Sequence, residues 1–145
     1  MLIKLAALFH DTGFLKKYRN NEPDGAALAK EILPNHGFSD QQVAVVMELI
    51  LATRIPQMPT NKLEEIICDA DLDYLGREKE VFEEISGYLK KELIEYGFLK
   101  SESDWDPIQV DFISKHKYFT KTAYMERHEN KQMRLEEIKQ RISES

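Results

Sequence analysis

His10 and Asp11 stand side by side at the end of the apolar run Leu5-Ala6-Ala7-Leu8-Phe9 and just before Thr12-Gly13. Imidazole and carboxylate are both strong ligands for divalent metal ions, and each is costly to bury without a partner. A second acidic cluster, Asp69-Ala70-Asp71-Leu72-Asp73, follows about sixty residues later. Together these groups could hold one divalent cation. Successive side chains on a helix lie about 100° apart, so His10 and Asp11 can both reach an ion beside the end of their helix. Asp69 and Asp73 are four apart and share a helical face, while Asp71 points roughly the other way. If that helix turns Asp71 inward, the spacing predicts one inward ligand there, with Asp69 and Asp73 facing out or making supporting bonds.

Each cluster also has an ordinary explanation. A His-Asp pair is commonly a cap or a surface pair, and an Asp-rich helix is commonly solvated. Asp69, Asp71, Asp73 and Glu80 fall at positions 1, 3, 5 and 12 of a calcium-binding EF-hand loop. That loop needs glycine at its sixth position, where this chain has Tyr74, so calcium is set aside.

The elements that must position these groups are all helical in pattern. The apolar stretch 2–11 reads as the first helix, and Lys16 to Asp24 as a polar loop. Ala26, Ala29, Ile32 and Leu33 give the stretch 25–34 an apolar face that closes near Pro34 and Gly37. Ser39 with Gln42 forms a capping box ahead of Val43, Val46, Met47, Ile50 and Leu51. Two prolines make Ile55-Pro56-Gln57-Met58-Pro59 a rigid loop. Asn61 and Glu64 open the helix that carries the second acidic cluster. Residues 78–96 continue as helix, and Asp106-Pro107-Ile108-Gln109 carries the marks of another start. The last helix is expected from about Thr120 to Arg141. On it Tyr124, His128, Lys131, Leu135, Ile138 and Ile142 form a heptad-like stripe that packs on the bundle or on a second subunit. No segment alternates as a strand would. The predicted fold class is an all-α bundle.

The chain has 145 residues and a net charge of −6, which argues against nucleic acid as a partner over the whole surface. Its apolar runs are far shorter than a membrane span, and no signal-peptide pattern opens it. A single cysteine, Cys68, leaves no internal disulfide and fits a reducing compartment, so a cytoplasmic location is expected.

In order and spacing, three segments resemble the HD-domain superfamily of metal-dependent phosphohydrolases. They are Ala7-Leu8-Phe9-His10-Asp11-Thr12-Gly13, the helix ending Ile50-Leu51-Ala52-Thr53, and Cys68-Asp69-Ala70-Asp71-Leu72-Asp73-Tyr74-Leu75-Gly76. The tail, with Trp105, Gln109, Phe112, His116, Tyr118, Thr120, Ala123 and Arg127, is similar to an uncharacterised subgroup of the same superfamily. The resemblance implies one HD-type helical domain over 1–145, with a metal-site core at about 2–77 and C-terminal helices at about 78–143. It implies His10, Asp11 and Asp71 as metal ligands and hydrolysis of a phosphate ester, often of a nucleotide.

Members normally carry a further histidine on a helix upstream of the His-Asp pair. Only nine residues precede His10 here, so the domain is expected to be N-terminally incomplete. Asn21 and Thr53 stand where some members have second-metal histidines, which points to a mononuclear site. Mixed His and carboxylate ligands suit Mn, Fe, Zn, Co or Ni. Glu22 is the expected general base or water-orienting group, its plainer role being a helix-start carboxylate ahead of Pro23. Lys16, Lys17 and Arg19 follow the His-Asp turn and could attract a phosphate. Lys115, Lys117, Lys121, Arg127 and Lys131 form a second basic stretch, either over the mouth of the site or serving solubility. The expected partners are a small phosphorylated substrate and, through bare apolar surface, a second copy of the chain. The alternative reading is a truncated or degenerate HD-like domain that acts without catalysis as a binding or oligomerisation module.

Overall fold

The structure, a computed structural model, describes residues 1–144. Among the described residues it is all α, with no strand. Its seven helices are α1 (Leu2–Phe9), α2 (Glu22–Ile32), α3 (Asp40–Ala52), α4 (Lys62–Asp71), α5 (Lys79–Glu95), α6 (Trp105–Lys115) and α7 (Lys121–Glu144), joined in places by 3₁₀ turns. No helix is long and apolar enough to cross a membrane. The chain divides into two compact units, Met1–Asp71 and Leu72 onward. The division falls at Leu72 because α4 stops there: Leu72 leaves helical geometry at φ −108°, ψ 20°, and a 3₁₀ turn over Asp73–Gly76 follows.

In the N-terminal unit, α1, α2 and α3 bury one another's apolar stripes. Ala6 and Phe9 meet Ala26, Ala29, Val43, Val46, Leu49 and Ile50, joined by Ile67 from α4. The apolar run of α1 is wider than the stripe it buries, and Leu8 stays 71% exposed. The Ser39 capping box forms as expected, with Gln42 N donating to Ser39 Oγ at 3.3 Å and Ser39 N to Gln42 Oε1 at 2.9 Å. Asn61 Oδ1 accepts from Leu63 N and Glu64 N at 3.0 and 3.1 Å, which starts α4.

The C-terminal unit has its own core of Leu72, Leu75, Phe82, Ile113, Leu135 and Ile138. The middle of the α7 stripe lies inside it, and Lys131 is buried with Leu135 and Ile138. Lys131 therefore serves packing rather than solubility. Its Nζ donates to the His116 carbonyl at 2.6 Å and stands 5.4 Å above the Tyr118 ring. The start of α6 differs from expectation. Ser101 and Asp104 cap a 3₁₀ turn that runs straight into Trp105. Asp106 is therefore already inside the helix, where it receives a bidentate bond from Arg141 at 2.7 and 2.9 Å.

Two glycines have opposite surroundings. A Cβ at Gly13 would overlap the Asn21 backbone carbonyl, so only glycine lets the turn after His10-Asp11 press against the start of α2. A Cβ at Gly87, inside α5, would meet nothing within 4 Å. Gly13→Ala should destabilise the protein by about 1–3 kcal/mol through overpacking. Gly87→Ala should stabilise it by about 1 kcal/mol through helix propensity. Urea unfolding of the two variants checks both signs, and matching midpoints would refute this assignment.

Candidate metal centre

The candidate site lies within the N-terminal unit, where α1 and α4 end and α2 begins. His10 is the C-cap of α1. Its Nδ1–H donates to the Ala7 carbonyl at 2.8 Å, which sets the plane of the ring. Its Nε2 lies 3.2 Å from Asp11 Oδ2 and 3.2 Å from Asp71 Oδ1. The three expected ligands therefore converge on one imidazole nitrogen, across about sixty residues of chain. The carboxylate of Asp71 is oriented from the far side by Gln57, whose Nε2 donates to Asp71 Oδ2 at 2.9 Å. His10 and Asp71 are mostly buried, with side chains 22% and 19% exposed, while Asp11 is open to solvent.

The electrostatics follow from this clustering. The hydrogen bond that His10 donates to Asp71, with the Asp11 charge and the Ala7 carbonyl behind it, lifts the His10 pKa to about 9 against the opposing effect of burial. His10 is thus an imidazolium held between two carboxylates. Burial pushes the Asp11 carboxyl above the usual range. His10 opposes that rise, while the nearby charges of Asp71 and Glu22 add to it. Glu22 therefore belongs to the same local field. It is the first residue of α2, after the N-cap Asn21 and before Pro23, so its role as a helix-start carboxylate is also realised. Its Oε2 is buried and has no hydrogen-bond donor. Asn21 Oδ1 and Gln57 Oε1 are buried and unpartnered as well.

The orphaned oxygen of Glu22, whose charge reaches Asp11, is the observation that tests whether a cation suits the site. Buried acceptors without donors are uncommon, and a bound ion is one way to satisfy them. Spacing agrees. Two ligands about 2.1 Å from a common ion, at angles of 90–109°, lie ~3.0–3.4 Å apart, and the His10-to-carboxylate distances fall inside that window. The ring is also held as metal-binding histidines are, with its other N–H on a backbone carbonyl. Among the described residues no group of three or more His, Cys, Asp and Glu side chains forms a ready-made ion cage. The Nε2 proton occupies the place an ion would take, and the carboxylates close on it. The donor set fits one divalent ion once that proton leaves.

The remaining expected residues fall as follows. Lys17 Nζ lies 3.0 Å and Lys16 Nζ 3.9 Å from the carboxylate of Asp24, in the first turn of α2, and both lysines are exposed. Arg19 is exposed on the same connecting segment. Thr53 is buried and turns its hydroxyl back to the Ile50 carbonyl at 2.8 Å. The expected shared face of Asp69 and Asp73 does not exist, because α4 stops at Asp71. Asp69 is buried inside the helix, 5% exposed, so of its two expected placements the outward-facing one does not hold. Asp73 belongs to the C-terminal unit, bonded to Arg127 at 2.6 Å and Arg77 at 3.2 Å. Arg127 is thereby committed to that ion pair. Cys68 donates Sγ–H to the Ala52 carbonyl at 3.1 Å. Burial, with the charges of Asp71, Asp69 and Glu64 behind it, pushes its thiol up to about 12, so it is not a thiolate ligand. Gln57 is the site residue that pattern reading missed. Its one visible mark is a polar side chain between two prolines.

No known family pattern, curated protein or solved structure matches this chain.

The raised His10 pKa has a defined consequence for the ion-free protein. Because the folded value lies above the unfolded 6.5, the stability His10 contributes is fully present below pH 6.5 and is lost as pH rises through about 9. The imidazole carbon protons should titrate with a midpoint near 9 by NMR, and Asp71→Asn should lower that midpoint. A wild-type midpoint near 6.5 would contradict the clamp. In the same spectra His116, buried and next to Lys131, should titrate near 4.

Proposed function

We propose that this chain is a metal-dependent phosphohydrolase of the HD type, acting on the phosphate ester of a small molecule such as a nucleotide. The observation that carries the reading is the approach of His10 Nε2 to Asp11 and Asp71 at 3.2 Å each, from opposite ends of the N-terminal unit's sequence. The resemblance of the same residues to the HD motif supports it. His10, Asp11 and Asp71 would hold one divalent transition ion of the Mn, Fe, Zn, Co or Ni group. Such an ion offsets charge on phosphoryl oxygens and makes water more acidic.

The chain's own residues have separate tasks in this reading. Gln57 holds Asp71 in place through one oxygen, leaving Oδ1 directed at His10. Ala7 holds the His10 ring so that Nε2 faces the carboxylates. Glu22, with a buried oxygen that lacks a donor, accepts a proton from the attacking water or orients it. Lys16 and Lys17 supply positive charge at the edge, shared with Asp24, where an anionic substrate would approach. Their exposure keeps that contribution small and salt-sensitive.

The test is metal loading followed by phosphate release. Protein dialysed against manganese or zinc should retain about one ion per chain and hydrolyse p-nitrophenyl phosphate in a manner abolished by chelator. His10→Ala and Asp71→Ala should lose the ion and about 10³-fold or more in kcat/KM. Glu22→Gln should keep the ion and lose about 10²–10⁴-fold in kcat. Full activity in the His10 or Asp71 variant would move the site elsewhere. Neither metal uptake nor turnover would leave the chain as a helical binding or oligomerisation module.

A further inference from the structure

The segment between α3 and α4 is tied to other parts of the N-terminal unit at two points. Gln57 Nε2 donates to Asp71 Oδ2 at 2.9 Å. Three residues earlier, Arg54 Nη2 donates to Asn20 Oδ1 at 3.1 Å. Three residues of chain reach at most ~11 Å, so the Arg54 backbone lies no further than that from Gln57. Asn20 stands two residues before Glu22, whose charge acts on Asp11, and that gap spans at most ~7 Å. Arg54 is thus placed beside the candidate centre twice over, through the chain by Gln57 and through its own side chain by Asn20. Asn20 itself sits at φ 51°, in the left-handed region that asparagine tolerates.

The charges of the centre call for a cation at this edge. Asp11, Asp71 and Glu22 together carry one more negative charge than a divalent ion offsets. Lys16 and Lys17 share the carboxylate of Asp24, at 3.9 and 3.0 Å, which leaves that pair one positive charge in excess. A phosphate ester, with a charge of about −2, would meet no net attraction from these groups alone. Arg54 supplies the missing charge. Its bond is to a neutral amide, and among the described residues no carboxylate pairs with it, so its charge is not cancelled. The side chain is exposed and open to a solute. A guanidinium carries five N–H donors, of which the Asn20 bond uses one. Its planar fork matches two phosphoryl oxygens, which a lysine ammonium does not.

We propose that Arg54 is the residue that binds the phosphoryl group of the substrate at the candidate centre, through paired N–H bonds to two of its non-bridging oxygens. The identity of the substrate rests on the phosphohydrolase reading, while binding of inorganic phosphate tests Arg54 apart from turnover.

The experiment uses the full chain loaded with manganese, titrated with inorganic phosphate by calorimetry and assayed with p-nitrophenyl phosphate. Wild type is expected to bind phosphate with a Kd of about 1 mM or tighter. Arg54→Gln keeps an N–H for Asn20 and loses the charge. It should weaken phosphate by about fivefold or more and raise KM in parallel, with kcat within about twofold and the metal content unchanged. Arg54→Lys keeps the charge without the fork and should fall between the two. Asn20→Gly keeps the left-handed turn and removes the tie, and should cost less than about twofold. Unchanged phosphate affinity in Arg54→Gln would overturn the assignment. So would an equal loss in Asn20→Gly, which would make Arg54 a tie between two loops, and so would absence of phosphate binding by wild type. Phosphate binding that depends on Arg54 without any turnover would support the assignment and overturn the phosphohydrolase reading. Turnover with the same KM in Arg54→Gln would do the opposite. Circular dichroism establishes that each variant is folded, and Arg54→Lys decides the question should Arg54→Gln fail that check.

Discussion

The imidazole of His10 joins the end of α1 to the end of α4, and the order of the candidate centre depends on that bridge. One ring nitrogen is tied to its own helix through Ala7, so the other has a fixed direction. That direction carries it to Asp11 and Asp71 together. Two carboxylates this close repel unless a positive charge stands between them, and the raised His10 pKa measures how strongly they demand one. A proton meets that demand in the ion-free chain. A divalent cation would meet it more fully, because the orphaned oxygen of Glu22 lies in the same field.

The surroundings of the bridge are built to keep it tight. Gly13 lets the turn after Asp11 press on the Asn21 carbonyl, which sets Glu22 at the start of α2 close enough to Asp11 to raise its pKa. The proline-bounded loop delivers Gln57 to the outer oxygen of Asp71. The acidic cluster, uniform in sequence, is divided by the end of a helix. Asp69 is buried within α4, Asp71 faces His10 at its last turn, and Asp73 pairs with arginines in the C-terminal unit. One backbone event, the departure of Leu72 from helical geometry, accounts for all three fates.

The C-terminal unit follows a different logic. Its core is apolar, yet α7 brings Lys131 and Arg134 into it. Lys131 is satisfied by a backbone carbonyl and stands over an aromatic face, whereas Arg134 leaves one donor unused at a cleft. Two small residues of α5, Ser86 and Gly87, line that cleft. A polar group buried with part of its bonding capacity free is costly.

The all-α class, the number and rough extent of the helices, the caps at Ser39 and Asn61 and the pairing of His10 with Asp11 are legible in the chain itself. Each rests on residues within a few positions of one another, where periodicity and capping chemistry act directly. The inward choice of Asp71 was legible in part: helical spacing separated it from its neighbours, although α4 in fact ends at that residue. What the sequence could not determine rests on contacts across long stretches of chain. These include Gln57 on Asp71 and Asp73 on Arg127, which no local pattern records. They include the burial of Lys131 and the fate of Asp106, where tertiary partners outweighed local solvation and capping signals. Only the folded chain brings His10 and Asp11 at one end of the N-terminal unit to Asp71 at the other, because that proximity comes from how the helices pack and not from how they form.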